Sequence, residues 1–429
     1  MQGLIGPLKE LAEFEELCKN KKKDVGMIRV CGCVNSQKSH MMYALGDGCK
    51  YKVIACSSET KAKQIYEEYR FLDSNTYLYP AKDFLFYQAD IRSKELVKQR
   101  MEGIQAVLSG EPVTVVTSLD GFMDHLAPKE SIAEKVLKIQ NDSVLKLDEM
   151  AEKLSVIGYD REVQVEGPGQ FAVRGGILDI YPLTEELPVR IELWGDEVDS
   201  IRTFDVESQR SIENLMDIVI YPAVEFPQNG EKGVSFLDYF PPEDTILFLD
   251  EPVRLVERGQ NIEDEFMEAQ KKRLESGYDL EEEEAKIFPV TEILKKINCY
   301  SSIGFYALEM KCKGLEVRES YEIQAKSVNP YNNSFEMLTQ DLKRLKRNGY
   351  RVILLSGSRT RAKRLAEDLR DYNLSSYYSE DLDREVKPGE IMTAYGYIAE
   401  GYEYPMLKFT VIAESDIFGK RKKKNIHLK

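Results

Sequence analysis

Short apolar segments alternate with helical patterns along the first 120 residues of the chain. Residues 27–33, 50–58 and 112–118 are runs of apolar residues, which predict buried strands. Residues 60–72 repeat their apolar positions at helical spacing instead. Strands separated by helical crossovers form parallel sheets with both faces covered. The pattern therefore predicts an α/β domain that begins at residue 1 and continues to residue 129.

The pattern changes after residue 130. Residues 171–182, 189–205 and 216–223 alternate apolar with polar side chains, and Gly-Gly or Gly-Asp-Glu sequences lie within these segments. Such alternation is typical of antiparallel hairpins. We predict a small α+β domain over residues 130–212 that interrupts the first domain. Trp194 precedes a Gly-Asp turn, and we expect it to be partly buried in a hairpin.

The rest of the chain returns to an α/β pattern. Residues 245–251 predict a strand, and an acidic helical stretch follows it. A breaker-rich segment, 328–334, then precedes a new series of helices and strands, with Ser334 as a helix cap. The predicted fold class is thus α/β with several domains. The predicted parts are the first α/β domain at 1–129, its continuation at 213–330, the inserted domain at 130–212, a separate α/β domain at 331–420, and a basic tail or linker at 421–429.

Composition narrows the classes of function. The chain carries 59 basic and 74 acidic residues, a net charge of −15, which disfavours avid nucleic-acid binding by the whole surface. No segment approaches the ~20 apolar residues of a membrane span, and the first residues lack a secretion leader. We therefore expect a cytoplasmic protein with no membrane partner. The spacing of the seven cysteines and three histidines predicts neither a disulfide framework nor a metal site.

Residues Gly32–Ser39 match part of a phosphate-binding loop. The motif G-x-x-x-x-G-K-[ST] surrounds phosphates with backbone amides and a lysine, and its hydroxyl binds magnesium. Lys38 and Ser39 are present here, but Gln37 occupies the place of the second glycine. A side chain at that place obstructs the approach of the backbone to a phosphate. The sequence therefore predicts a degenerate nucleotide site.

The acidic half of such a site is also altered. Asp250 and Glu251 end a predicted strand, which is the correct place for groups that position magnesium and water. Pro252 follows at once, however, and no arginine-finger run of the Q-x-x-G-R-x-x-R type occurs in the last domain. We therefore expect no catalytic residue, no ATPase activity and no cofactor in this part of the protein.

The most distinctive segments of the sequence are residues 158–182, 188–211 and 79–101. Together they resemble the transcription-repair coupling factor (Mfd) family. The likeness is to the amino-terminal module that this family shares with the excision-repair protein UvrB, and it extends along nearly the whole chain. It implies a degenerate, helicase-like RecA domain that is split by an inserted domain, and the insert is the surface that the family uses to bind UvrA.

The resemblance also implies site residues and partners. Tyr159-Asp160-Arg161 and Phe171-Ala172-Val173-Arg174-Gly175 match UvrB elements, which makes Arg161, Phe171 and Arg174 candidates for UvrA binding. Ala172 stands where UvrB has a further arginine. In the family, ATP and magnesium use, binding of double-stranded DNA and binding of RNA polymerase lie downstream of the position of Lys429. The expected role is recruitment of UvrA to a stalled polymerase by a non-catalytic module of a larger ATP-dependent translocase.

Two other functions remain open at this point. A UvrB-like helicase would need an intact glycine before Lys38, a second motor half and an aromatic hairpin, and the sequence shows none of these. A module that binds single-stranded nucleic acid could use tyrosines such as Tyr377, Tyr378, Tyr395 and Tyr397 as stacking platforms. Tyrosines that alternate in strands more often pack against a sheet face.

Overall fold

A seven-stranded parallel sheet forms the centre of the first α/β unit, and its strands come from residues 26–118 and 245–322. The computed structural model describes residues 2–82, 94–228, 230–277 and 286–419. Elements are numbered along the chain. The strands of this sheet are β1 (Gly26–Cys31), β2 (Tyr51–Cys56), β3 (Thr76–Tyr79), β4 (Val113–Ser118), β13 (Thr245–Asp250), β14 (Ser301–Phe305) and β15 (Val317–Glu322). Their order is β15-β1-β14-β13-β2-β4-β3, and every neighbouring pair is parallel.

Helices cover both faces of this sheet, as the unbroken apolar strands predict. Side chains alternate between the two faces, so that Val53 and Leu247 enter one core while Ile54 and Phe248 enter the other. The helices are α1 (Gln2–Ile5), α2 (Ala12–Asn20), α3 (Asn35–Leu45), α4 (Glu59–Leu72), α5 (Lys94–Leu108), α8 (Pro252–Glu275) and α9 (Val290–Ile297). The α/β fold class is therefore confirmed. Residues 83–93 and 278–285, which the sequence analysis also used, lie outside the described residues.

The inserted unit is built on an antiparallel sheet. Its strands are β6 (Asp160–Arg161), β7 (Gln170–Arg174), β8 (Ile177–Tyr181), β9 (Val189–Trp194), β10 (Glu197–Phe204) and β11 (Ser211–Leu215). They follow the order β11-β10-β9-β8-β7-β6, and only the pair of β6 with β7 is parallel. One face of the sheet packs on helix α7 (Leu147–Val156) through Leu154, Phe171 and Ile191.

The insert extends beyond the limit expected from the sequence. Strand β5 (Leu137–Gln140) pairs with β12 (Asp217–Ile220), and helix α6 (Lys129–Glu134) precedes them. The expected limit at residue 212 falls inside β11. The polar strand β11 interrupts the alternating pattern between Phe204 and residue 216, which is why the predicted limit fell too early.

A second α/β unit ends the described chain. Its sheet has the order β16-β20-β21-β17-β19-β18. Its elements are β16 (Lys326–Ser327), α10 (Phe335–Arg347), β17 (Arg351–Ser356), α11 (Arg359–Asp371), β18 (Tyr377–Tyr378), β19 (Ile391–Tyr395), β20 (Tyr402–Tyr404), β21 (Phe409–Ala413) and α12 (Glu414–Phe418). Ser334 caps α10 by accepting a hydrogen bond from the Met337 amide at 3.2 Å, as the sequence predicts. The basic run 421–429 lies outside the described residues.

The last unit shares a core with the first sheet, although the sequence predicts a separate domain. Ile28 and Phe248 of the first sheet belong to the same buried cluster as Ile353 and Phe409 of the last sheet. Helices α3 and α4 lie between the two sheets and supply Met41, Leu45, Ile65 and Tyr69 to this cluster. The helix that follows the degenerate phosphate loop is therefore enclosed between two domains.

Candidate functional site

The turn after β1 is shorter than a phosphate-binding loop. Only Gly32, Cys33 and Val34 separate β1 from α3. Gly32 has φ of +78°, and a Cβ atom there would lie 2.0 Å from the Ile323 carbonyl oxygen, so glycine is required. Asn35 already begins the helix, whereas a phosphate loop stays open as far as its second glycine. The backbone that would surround a phosphate is thus wound into the first turn of α3.

Gln37 closes this first turn. Its Oε1 accepts a hydrogen bond from the Val34 amide at 3.2 Å, and its Nε2 donates to the Tyr404 hydroxyl at 3.0 Å. The side chain is completely buried. Gln37 therefore fills the space that glycine would leave, and it occupies a backbone donor that a phosphate would need.

Lys38 is held by the acidic pair. Its Nζ lies 2.8 Å from Asp250 Oδ1 and 2.6 Å from Glu251 Oε1. Burial by itself would lower the pKa of Lys38, but the two carboxylates outweigh burial and raise that pKa. Glu251 has a left-handed backbone with φ of 52°, and its Oε1 also accepts the Ala307 amide at 2.9 Å. The cation that would meet a phosphate is consequently neutralised inside the protein.

The hydroxyl group that would bind magnesium has another partner. Ser39 and Ser36 both donate to the carboxylate of Glu68 on α4. Glu68 also accepts the Ala399 amide of the last unit at 3.0 Å. Across the described ranges, no group of three or more His, Cys, Asp or Glu side chains could hold a metal ion.

Side chains of the last unit pack over the start of α3. His40 Nδ1 lies 2.9 Å from the Tyr404 hydroxyl, its Nε2 lies 2.9 Å from the Leu4 carbonyl oxygen, and its ring stacks on Tyr402 at 5.1 Å. Burial lowers the pKa of His40 to about 4, despite the bond to Leu4. A neutral imidazole is therefore part of the packing between the two units.

A cavity of about 390 Å³ remains beside the turn. Lys61 and Arg254 line it, but Asp250 and Glu251 line it as well. Lys38 lines the cavity too, but both carboxylates bind its Nζ. The parallel sheet thus brings the residues of both half-motifs together, and they pair with each other.

The inserted sheet presents its charged residues differently. Arg174 ends β7, and its guanidinium lies 2.7 Å from Asp179 Oδ2 while 45% of the side chain stays exposed. Arg190 binds the same carboxylate through two hydrogen bonds of 2.7 and 2.9 Å. Asp179 is buried and is satisfied by Arg190 alone. Arg174 is therefore available to a partner at little structural cost.

Arg161 is exposed at the end of the edge strand β6 and forms no ion pair within the described ranges. In the register of β6 and β7 it lies opposite Phe171, whereas Arg174 lies three residues further along, or roughly 10 Å. Strand alternation directs Arg161 to the face of Phe171 and Arg174 to the other face. The two predicted arginines thus lie on one edge of the sheet but on different faces.

The structure differs from the sequence analysis at two aromatic residues. Phe171 is completely buried against α7, so its ring packs in the core of the insert and is not accessible to a partner. The alternation of Phe171 with Val173 in the sequence would have indicated that Phe171 faces the core. Trp194, expected to be partly buried, is 83% exposed. Its neighbour Leu193 takes the core position, and alternation turns the indole to the opposite face.

A family model for the UvrB interaction domain matches residues 137–226. The transcription-repair-coupling factor of Bacillus subtilis is 25% identical over 97% of this chain and 40% of its own length. Those of Staphylococcus haemolyticus and Staphylococcus aureus are each 24% identical, over 82% and 83% of this chain and 34% and 35% of their own. The resemblance to the amino-terminal module of transcription-repair coupling factors is confirmed. The chain spans about 40% or less of the length of these relatives.

The matched range fits the observed insert. Residues 137–226 contain β5 to β12 and end beside Glu225, whose buried carboxylate accepts two hydrogen bonds from Arg100 at 2.8 Å. This buried pair fixes the end of the matched range to α5 of the first unit. A hypothetical ATP-dependent RNA helicase from Sulfolobus tokodaii aligns with 92% of this chain and 82% of its own at 10% identity, with a TM-score of 0.25, which supports no inference. Within the described ranges, no helix is long and apolar enough to cross a membrane.

Proposed function

We propose that this chain is a docking module of a transcription-repair coupling factor and that its inserted sheet binds UvrA. The observation that carries the proposal is the arrangement around Asp179 inside the matched UvrB interaction domain. Arg190 satisfies the buried carboxylate, and Arg174 keeps an exposed guanidinium at the end of β7. Guanidinium groups bind carboxylates through paired hydrogen bonds, and arginine is enriched at interface hot spots.

The module would act as part of a longer protein. The relatives carry the name transcription-repair-coupling factor and are more than twice as long as the segment matched here. We propose that the parent is an ATP-dependent translocase that moves on double-stranded DNA and displaces stalled RNA polymerase in the cytoplasm. ATP, magnesium and both of these partners would bind downstream domains. We also propose the domain division predicted from the sequence, except that the inserted domain ends at about residue 220.

The same proposal assigns no ATP hydrolysis to this part of the protein. Three observations support this: the wound first turn of α3, the bond from the Val34 amide to Gln37, and the internal pairing of Lys38. Each removes a group that a triphosphate would require. The former nucleotide site would serve instead as a joint between the first and last units.

The alternative of a single-strand nucleic-acid binder has less support. Arg384 lies 4.1 Å from the ring centroid of Tyr377, and Lys363 lies 5.1 Å from that of Tyr378. These cations already cover the faces on which bases would stack. Tyr377 also donates to Glu390 at 3.0 Å.

Biolayer interferometry with purified UvrA tests the docking proposal. The wild-type chain should bind, Arg174→Ala should weaken binding by about tenfold or more, and Arg161→Ala should have a smaller effect because it lies on the other face. Arg364→Ala, which removes an exposed arginine of the last unit, is the matched control. Undiminished binding by the Arg161→Ala/Arg174→Ala double variant would overturn the assigned surface.

A further inference from the structure

The most exposed aromatic side chain near Arg174 is Trp194, the single tryptophan of the sequence. It ends β9 immediately before the Gly195-Asp196 turn. In the strand register, Arg174 pairs with Ile177 and Ile177 pairs with Glu192. Trp194 follows Glu192 by two residues and so lies on the same face as Arg174. The indole and the guanidinium therefore belong to one surface at one end of the sheet.

Two glycines lie beside these two groups. Gly175 and Gly176 connect β7 with β8, and the Leu193 amide donates to the Gly176 carbonyl at 2.8 Å, which places this turn beside Trp194. Gly175 has φ of +62°, and a Cβ atom there would meet no heavy atom within 4 Å. A Cβ atom at Gly176 would lie 3.0 Å from the Leu193 carbonyl oxygen. Gly175 is therefore the part of the turn that a partner surface can approach closely, beside the indole and the guanidinium.

Further apolar side chains extend this surface on its other side. Val144, 76% exposed, pairs with Glu197 in an isolated bridge, and Glu197 pairs with Trp194. Met216, also 76% exposed, follows β11, and its carbonyl accepts the Asn141 amide at 3.0 Å. Val144 and Trp194 thus lie on either side of Glu197 on one face of the sheet.

We propose that Trp194 is the aromatic anchor of the UvrA-binding surface, and that Arg174 forms its charged border. This inference rests on the proposed function and adds to it the chemistry of the partner. The indole occupies an apolar pocket of UvrA, an acidic side chain beside that pocket pairs with Arg174, and the glycine turn permits the close approach. Trp194, Arg174 and Val144 together define this surface, which we name the tip surface.

Because the chain has one tryptophan, a single label reports on this site. The full chain is prepared with 5-fluorotryptophan, and its single ¹⁹F resonance is followed while unlabelled UvrA is added. The resonance should shift or broaden in proportion to the fraction bound. In parallel, Trp194→Ala should weaken UvrA binding by at least about tenfold, and Trp194→Phe should restore part of it. Met406→Ala, at an exposed methionine of the last unit, is the control that should leave affinity unchanged.

The outcomes separate this inference from the proposal on which it rests. UvrA binding that is weakened by Arg174→Ala but unaffected by Trp194→Ala, with an unchanged ¹⁹F resonance, would overturn the anchor and leave the docking function intact. No UvrA binding by the wild-type chain would overturn both. Acrylamide quenching checks the free chain independently: the emission of Trp194 should be quenched nearly as efficiently as that of free indole, and a shielded tryptophan would contradict the exposed position.

Discussion

The turn at Gly32 and the tip surface both place a cation and glycine backbone at the end of a strand, but they use them in opposite ways. At Gly32, the lysine, both serines and the glutamine all bond to groups inside the protein. At the tip surface, Gly175 faces open space and the arginine is half-exposed. The first site has become part of the core, and the second remains open to a partner.

The difference depends on whether the neighbouring buried carboxylate has another cationic partner. Asp250 is buried and faces Lys38 together with Glu251, so two negative charges depend on one lysine. Asp179 is equally buried, but Arg190 already binds it with two hydrogen bonds. A cation that is required by a buried acid is structural, whereas a cation that merely adds to a satisfied pair is free for binding.

The largest expected effect comes from Lys38→Ala. This change leaves the carboxylates of Asp250 and Glu251 facing each other in a buried site, which should cost about 3–5 kcal/mol of stability. Urea denaturation measures the loss, and Lys61→Ala, at the same cavity, should change stability by less than about 1 kcal/mol. ATP turnover by the wild-type chain that disappears in Lys38→Ala would contradict the closed site.

A pH titration should show the second largest effect. Burial lowers the pKa of His40 from its ordinary value of 6.5 to about 4 in the folded protein. Between these values the unfolded state binds the proton and the folded state does not, so stability should fall as the pH decreases from 6.5 towards 4. The full loss is roughly 3 kcal/mol. Denaturation of the wild type and His40→Gln at several pH values isolates this contribution, because carboxylates titrate in both; parallel curves would contradict it.

Gln37→Gly restores the phosphate-loop consensus and tests whether Gln37 alone closes the site. It removes two buried hydrogen bonds and adds a glycine to the first turn of α3, so it should destabilise the protein by about 2 kcal/mol. It should confer no binding of an ATP analogue, because Lys38 stays paired with Asp250 and Glu251. Isothermal titration with the analogue checks this, and a gain in affinity would show that Gln37 alone closes the site.

The smallest effect on stability is expected at Arg174. Arg174→Ala should cost less than about 1 kcal/mol, since the side chain is half-exposed and Asp179 keeps Arg190. Arg190→Ala should cost clearly more, because it removes two of the three side-chain hydrogen bonds that the buried Asp179 accepts. Thermal unfolding of both variants, compared with their UvrA affinities, should give opposite rankings. Equal stability losses would place Arg174 among the structural residues.

Sequence patterns were sufficient to predict those contacts that follow from regular secondary structure. Parallel strands bring their carboxyl ends together, so the meeting of the Gly32 turn with Asp250 and Glu251 could be predicted. The partners Glu68 and Tyr404 could not, because the contacts to Ser39 and Gln37 connect residues far apart in the sequence and depend on how two domains pack. Trp194 was placed wrongly because the prediction relied on the turn that follows it, whereas the alternation of Ile191 and Leu193 assigns the indole to the opposite face.

Hydrogen exchange of the full chain, with and without UvrA, tests the central contrast most directly. Exchange should be slower at residues 171–177 and 192–197 when UvrA is bound. It should not change at residues 34–41, whose amides lie in the sealed start of α3. Protection at 34–41 without any change at the tip surface would show that the turn, and not the tip surface, binds the partner.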